Sequence, residues 1–304
     1  MKPKRLEKGN TIGIIAPASP ANSFNKVELT VKKLEELGFK IVLGDSCYKK
    51  HGFLSGEDEI RARDFNSFFG NKDIDAIFCL RGGYGSNRIA DMVDYSLIKK
   101  NSKIFLGFSD ITYLLNSIYK NSNLITFHGP MIAAGDFLND FNFDFLMRVL
   151  QGNIQSIKLN LTPIVSGQAE GRVIGGNLSI IASMIGTKFE PKFDDNILII
   201  EEVAEEPYKI DRLLYQLKFS NVFKRVKAVI LGDFTDCEAK ESDKSLSLKE
   251  VLIGFFSNLN IPVYWGANLG HGEKRMTIPI GINAMIKDDK LIFLEEGVAI
   301  DWFF

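Results

Sequence analysis

No stretch of the sequence approaches the roughly 20 uninterrupted apolar residues that a membrane-spanning helix needs, so no segment is expected to cross a bilayer. The opening "MKPKRLEKGN" is basic, but the apolar run behind it, "TIGIIAPASPA", is short and broken by Pro17 and Pro20. That excludes the core of a secretory signal. Cysteine is scarce. Cys47, Cys79 and Cys237 are far apart and form no CxxC pair, which excludes a disulfide framework and fits a cytoplasmic protein with reduced thiols. An excess of one charge is also missing: 37 Lys and Arg face 38 Asp and Glu. No broad field draws the chain to nucleic acid or to an acidic membrane surface. The three histidines show no HExxH and no pair at ligand spacing, so no metal is expected. GxxxxGK[ST] is absent, and Arg88 stands where the third glycine of a dinucleotide fingerprint would follow Gly83 and Gly85. No cofactor is therefore expected. "SLIK", Ser96 to Lys99, matches S-x-x-K but has no S-D-N or K-T-G partner, so it is read as chance.

What is present is an ordinary globular balance, 45% hydrophobic and 25% charged over 304 residues, enough for two domains. In the first half short apolar runs ("TIGIIAPAS", "KIVLGD", "AIFCLR", "KIFLGF", "LITFHG") alternate with helical patterns. In "FNKVELTVKKLEELG", Val27, Val31 and Leu34 share a helical face. "GEDEIRARDFNSFFG" supplies a second helix. Helices between strands imply crossovers and a parallel sheet covered on both faces. Residues 151–168 are polar, contain glycine and lack helix signals, and are read as a linker after a first domain over 1–150. From 169 to 304 the pattern is mixed. "GRVIGG", "ILIIEE", "KAVILGD" and "IPVYWG" read as strands, "YKIDRLLYQL" and "SLKEVLIGFFSNL" as helices. "GINAMIKDDKLIFLEEG" reads as a hairpin turning at Asp288–Asp289. A second α/β domain with a small, strongly curved sheet is expected.

Chemistry concentrates where strands end. Ser109 stands between the apolar run "KIFLGF" and a helix whose buried face is Ile111, Leu114, Leu115 and Ile118. Serine there is either a helix N-cap or a nucleophile on a sharp strand-to-helix turn. The second case places the Asp110 N–H where an oxyanion would form. Ile111 replaces the last glycine of G-x-S-x-G, so the motif alone is weak. A base is needed, and His128 in "TFHGP" and His271 in "NLGHGEKRMTIPIG" both qualify by position; His51 lies in a polar loop. A carboxylate must orient the base, and Glu201 and Glu202 both end an apolar strand, where a buried acid needs a partner. Glu205 and Glu206 read as solvated acids at a helix entry. In "CLRGGYGSNR", Gly83 could supply a second oxyanion N–H.

Together, "RGGYGSNR", "GFSDIT", "FHGP", "GGNLSIIASMIGT", "LIIEEVAEEPYKIDRLLYQL", "VILGDFTDC" and "GHGEKRMTIPIG" resemble the LD-carboxypeptidase family of serine peptidases, which also contains the microcin-immunity peptidases. The resemblance covers nearly the whole chain. It implies a flavodoxin-like or Rossmann-like amino-terminal domain and a smaller swivelling β/α carboxy-terminal domain. It also implies a Ser109, Glu201, His271 triad, with Glu201 rather than Glu202 and His271 rather than His128. The oxyanion hole would come from the N–H groups of Gly83 and Asp110. Position 202 holds Glu where relatives often carry Asp. The substrate implied is a cytoplasmic murein tetrapeptide cut between its L-configured diamino acid centre, lysine or diaminopimelate, and a terminal D-alanine; a homodimer is implied as well. Arg81 and Arg88 are candidates for a substrate carboxylate, Tyr84 is a further substrate-side residue, and His128 becomes a structural or substrate-side residue of "FHGP". The immunity relatives hold a nucleotide, for which stacking on rings is the usual device. The stretch "NLTPIVSGQAEG" has no Trp, Tyr or Phe to stack on a base, and Trp265 and Trp302 read as packing residues; Tyr84 is the ring that another loop could supply. A peptidyl-nucleotide substrate and a catalytically silent binding protein are the alternatives.

Overall fold

The computed structural model describes residues 1–155 and 157–300; Trp302 lies outside the described residues. Fourteen strands are formed among them. They are β1 (Thr11–Ile15), β2 (Lys40–Leu43), β3 (Ala76–Cys79), β4 (Ile104–Gly107), β5 (Thr126–His128), β6 (Lys158–Asn160) and β7 (Thr162–Val165). The series continues with β8 (Ala169–Asn177), β9 (Ile197–Val203), β10 (Ala228–Thr235), β11 (Val263–Trp265), β12 (Ile278–Ile280), β13 (Asn283–Lys287) and β14 (Lys290–Phe293). They divide between two compact units.

Unit 1 spans Met1–Ile154, Arg275–Gly281 and the described residues from Glu296. Its sheet runs β12-β5-β4-β3-β1-β2. The first five strands pair in parallel, in the order 2-1-3-4-5 of flavodoxin-like folds. β3 and β4 are buried at every position, which is why they read as continuous apolar runs. β12 joins antiparallel, Ile278 opposite His128 and Pro279 opposite Phe127. Proline is tolerated there because β12 is an edge strand.

Unit 2 spans Gln155–Lys274 and Ile282–Glu295. Its sheet has eight strands in the order β6-β14-β13-β8-β9-β10-β11-β7, so it is larger than the small sheet expected. β8 to β11 are parallel and the flanking strands antiparallel. The outermost strands, β6 and β7, are separated in the chain by Leu161 alone, so the sheet curls to a near-barrel. Both lie in the stretch read as linker. They are short, half-exposed edge strands, one carrying Pro163, and such strands have no apolar run to betray them. The hairpin expectation is met: Lys287 pairs with Lys290, and Asp288 and Asp289 have φ of 50° and 54°, as a two-residue turn with positive φ at both positions requires.

In unit 1 one buried polar side chain ties together the loops after β1, β2 and β3. Arg61, on the helix Asp58–Gly70, is 0% exposed. Its guanidinium donates to Pro17 O, to Gly85 O (2.8 Å) and to Asp58. Burial pulls its pKa below the ordinary arginine value, against the opposing pull of Asp58. Replacing Arg61 with methionine should cost about 3 kcal/mol of unfolding free energy, since it leaves the buried Pro17 and Gly85 carbonyls without their donor, while Asp58 keeps its pairing with Arg88. Urea denaturation measures this, and an unchanged midpoint would contradict the assigned role.

Candidate active site

In unit 1 the site begins where β4 stops. Ser109 has φ of 59°, a left-handed conformation uncommon for any residue with a Cβ. An N-cap sits in extended conformation, so the capping reading of Ser109 is excluded. The chain makes one 3-10 turn over Ser109–Ile111 and then enters the helix Thr112–Ser122, with Ile111, Leu114, Leu115 and Ile118 all buried. This is the geometry of a strand-turn-helix elbow, with the serine half-buried and not covered. Space for it comes from two glycines. A Cβ on Gly107 would meet Ile111 at 2.8 Å; one on Gly82 would lie 2.9 Å from Ser109 Cβ and 3.3 Å from Asp110 N. The glycine loop after β3 therefore packs directly on the elbow. Gly83 follows at φ of 94°, and a Cβ there would fall 2.4 Å from Ser19 Oγ.

Two residues that the sequence reading passed over hold this arrangement. Ser19 is buried; its hydroxyl donates to Phe53 O (2.7 Å) and accepts from Tyr84 N (3.1 Å), and its own N–H donates to Gly82 O (3.1 Å). Ser86 donates its N–H to the Asp110 carboxylate (2.9 Å) and its hydroxyl to Asp110 O (2.6 Å). Asp110 thus belongs to the site twice, through its N–H beside Ser109 and through a buried side chain that anchors the glycine loop. Burial pushes its pKa up, partly offset by the Ser86 and Gly85 hydrogen bonds. Tyr84 is exposed and meets the exposed Phe53 ring edge-on at 5.4 Å. His128 is buried at the end of β5, its ring edge-on to Phe108 at 5.9 Å. His51 pairs with Glu57 on the surface.

In unit 2 two other predicted residues come together. Glu201, near the carboxyl end of β9, is 0% exposed, and its Oε2 lies 2.7 Å from His271 Nδ1. A carboxylate at Nδ1 fixes that nitrogen as the donor, so that in the neutral ring it is Nε2 that carries the lone pair. The glycines flanking His271 have a steric reason. A Cβ on Gly270, at φ of 110°, would stand 2.6 Å from Glu201 Oε2; one on Gly272 would stand 2.4 Å from Asp233 Oδ2. The turn is threaded between two acids. Glu202 serves another purpose. It accepts from Asn177 Nδ2, Ser179 N and Oγ, and Val203 N at 2.6–2.9 Å, holding the start of the helix Leu178–Met184. Burial raises its pKa against those hydrogen bonds. Among the described residues no three His, Cys, Asp or Glu side chains are placed to hold a metal ion, and no helix is long and apolar enough to cross a membrane. Cys79 and Cys47 are buried in unit 1 and Cys237 in unit 2. Desolvation pushes Cys47 up to about 12 and Cys237 up to about 11.

Residues 12–129 match the model of the LD-carboxypeptidase N-terminal domain, and residues 170–286 that of the LD-carboxypeptidase C-terminal domain. The chain belongs to the LD-carboxypeptidase family. Among its relatives, the probable murein peptide carboxypeptidase of Bacillus subtilis is 38% identical over 305 residues, 98% of this chain and 95% of that protein. The microcin C7 self-immunity protein MccF of Escherichia coli is 33% identical over 329 residues, 96% of this chain and 94% of that one. The crystal structure of muramoyltetrapeptide carboxypeptidase from Oxalobacter formigenes superposes with a TM-score of 0.82 at 28% identity, covering 93% of this chain and 97% of the other.

The buried Asp110 gives a pH prediction for this LD-carboxypeptidase family member. Its raised pKa means that its contribution to stability is fully present below about pH 4, the unfolded value, and is lost as pH rises through the folded value. Asp110→Asn keeps an acceptor for the Ser86 N–H but does not titrate. The stability difference, variant minus wild type, should therefore grow in the variant's favour from about pH 4.5 to about pH 8. Urea midpoints at the two pH values measure it, and a difference that shrinks toward alkaline pH would contradict the burial argument.

Proposed function

We propose that the protein is a serine-type LD-carboxypeptidase that releases terminal D-alanine from murein tetrapeptides. Ser109 Oγ attacks the carbonyl of the bond between the L-centre of the diamino acid and D-alanine. His271 takes the serine proton at Nε2 and returns it to the leaving amine, while Glu201 holds Nδ1–H and stabilises the imidazolium. The N–H groups of Gly83 and Asp110 receive the oxyanion, and water, activated by His271, releases the acyl enzyme. The observation that carries this reading is the buried Glu201 carboxylate on His271 Nδ1, which presets the tautomer a general base needs.

The choice of substrate is supported by the murein peptide carboxypeptidase relatives. Residues 160–171 carry no aromatic ring on which a base could stack. The reading includes a cytoplasmic location and a homodimer, as the family implies.

Ser109→Ala and His271→Ala should each reduce turnover roughly a thousandfold or more while the fold is kept, since the two act as one unit. The assay compares kcat/KM on an L,D-tetrapeptide, its all-L counterpart and a peptidyl-adenylate analogue. D-Alanine release from the first, with little action on the others, is expected. Near-normal turnover by Ser109→Ala would remove the nucleophile assignment. A tenfold or greater preference for the adenylate would replace the cell-wall reading with the immunity one.

A further inference from the structure

A carboxypeptidase must recognise a terminal carboxylate, and unit 1 places four guanidinium groups around its elbow and the adjoining loops. Three are committed to acids. Arg61 is paired with Asp58. Arg88 meets the same carboxylate fork to fork, with N···O distances of 2.7–3.0 Å. Arg275, stacked 5.0 Å over Phe108, is paired with Asp136.

The fourth, Arg81, differs. It comes just after β3, immediately before Gly82, the residue that packs on Ser109. The side chain is half-buried. Its hydrogen bonds, to Pro20 O (3.1 Å) and to Asn22 Oδ1, all leave from Nη1 and reach neutral acceptors. The Nη1 contacts fix the plane of the guanidinium. The opposite edge, Nε–H with Nη2–H, is the side-on fork that matches the two oxygens of a carboxylate. A half-buried cation with no anionic partner among the described residues is costly to hold, and a preset orientation lowers the cost of binding an anion there.

We propose that Arg81 is the residue that selects substrates with a free terminal carboxylate, binding that carboxylate in bidentate fashion through Nε and Nη2. This rests on the peptidase reading above and adds to it the group that makes the enzyme a carboxypeptidase rather than an endopeptidase. Arg88, the other arginine of the same loop, is not available for this role because Asp58 occupies its fork.

The experiment uses two peptides, the L,D-tetrapeptide with a free terminal carboxylate and the same peptide ending in D-alaninamide. Wild type, Arg81→Leu and Arg81→Lys are compared by kcat/KM on each, with thermal melts to confirm folding. Wild type should prefer the acid by about a hundredfold, the scale of a truncated, hydrogen-bonded charge pair. In Arg81→Leu that preference should collapse to near unity, mainly through KM for the acid. Arg81→Lys should keep part of it, because a point charge replaces the fork. An Arg81→Leu protein that keeps the wild-type preference for the acid overturns the anchor while leaving the peptidase reading intact. So does one that loses activity on both peptides by the same factor. A folded wild-type protein that acts on neither peptide overturns the peptidase reading, and the anchor with it.

Discussion

The first half of the site depends on one backbone constraint, the left-handed turn at Ser109. A residue with a Cβ takes a φ of 59° only when its surroundings hold it there. Here the surroundings are identifiable. β4 ends in Gly107, which lets Ile111 fold back onto the strand, and Gly82 on the neighbouring loop removes the side chain that would otherwise strike the serine. Parallel pairing of β3 with β4 brings the two loops side by side. From that adjacency follow the place of the Asp110 N–H, the anchoring of the glycine loop by Ser86 and Ser19, and the position of Arg81 one residue from the contact.

Unit 2 solves a related problem by different means. A histidine must be held in one tautomer at the tip of a turn, where backbone alone gives it no fixed orientation. Glu201 supplies the fixed point from a rigid buried strand, and glycines on both sides of His271 let the turn descend onto the acid. Glu202, next along the strand, points to the other face, as alternation requires, and is consumed in holding a helix start. Two adjacent glutamates thus have separate tasks set by which face each occupies.

Much of unit 1 was legible in the sequence, because parallel strands buried on both faces are unbroken apolar runs and the helices between them keep clear periodicity. The place of Ser109 at a strand end followed from the same reading. The pairing partners were not legible from residue types. Glu201 and Glu202 are chemically alike, and His128 and His271 both sit beside glycine at strand ends; only the resemblance to a family separated them. Gly82 was passed over in favour of Gly83 because its contact with Ser109 depends on strand order, a long-range fact. Residues 158–165 read as linker because edge strands of three or four residues leave no pattern. The segment "TIPIG" read as no strand at all, yet it forms β12, since its partner β5 lies about 150 residues earlier in the chain.

The central claim is that Ser109 is a nucleophile activated by the Glu201–His271 pair. The most direct test is covalent: treat the folded protein with a fluorophosphonate, digest it and locate the adduct by mass spectrometry. The account predicts one stoichiometric adduct on the peptide containing Ser109, absent in Ser109→Ala and greatly slowed in His271→Ala and Glu201→Ala. Labelling elsewhere, or labelling of Ser109 at an undiminished rate when His271 is removed, would contradict it.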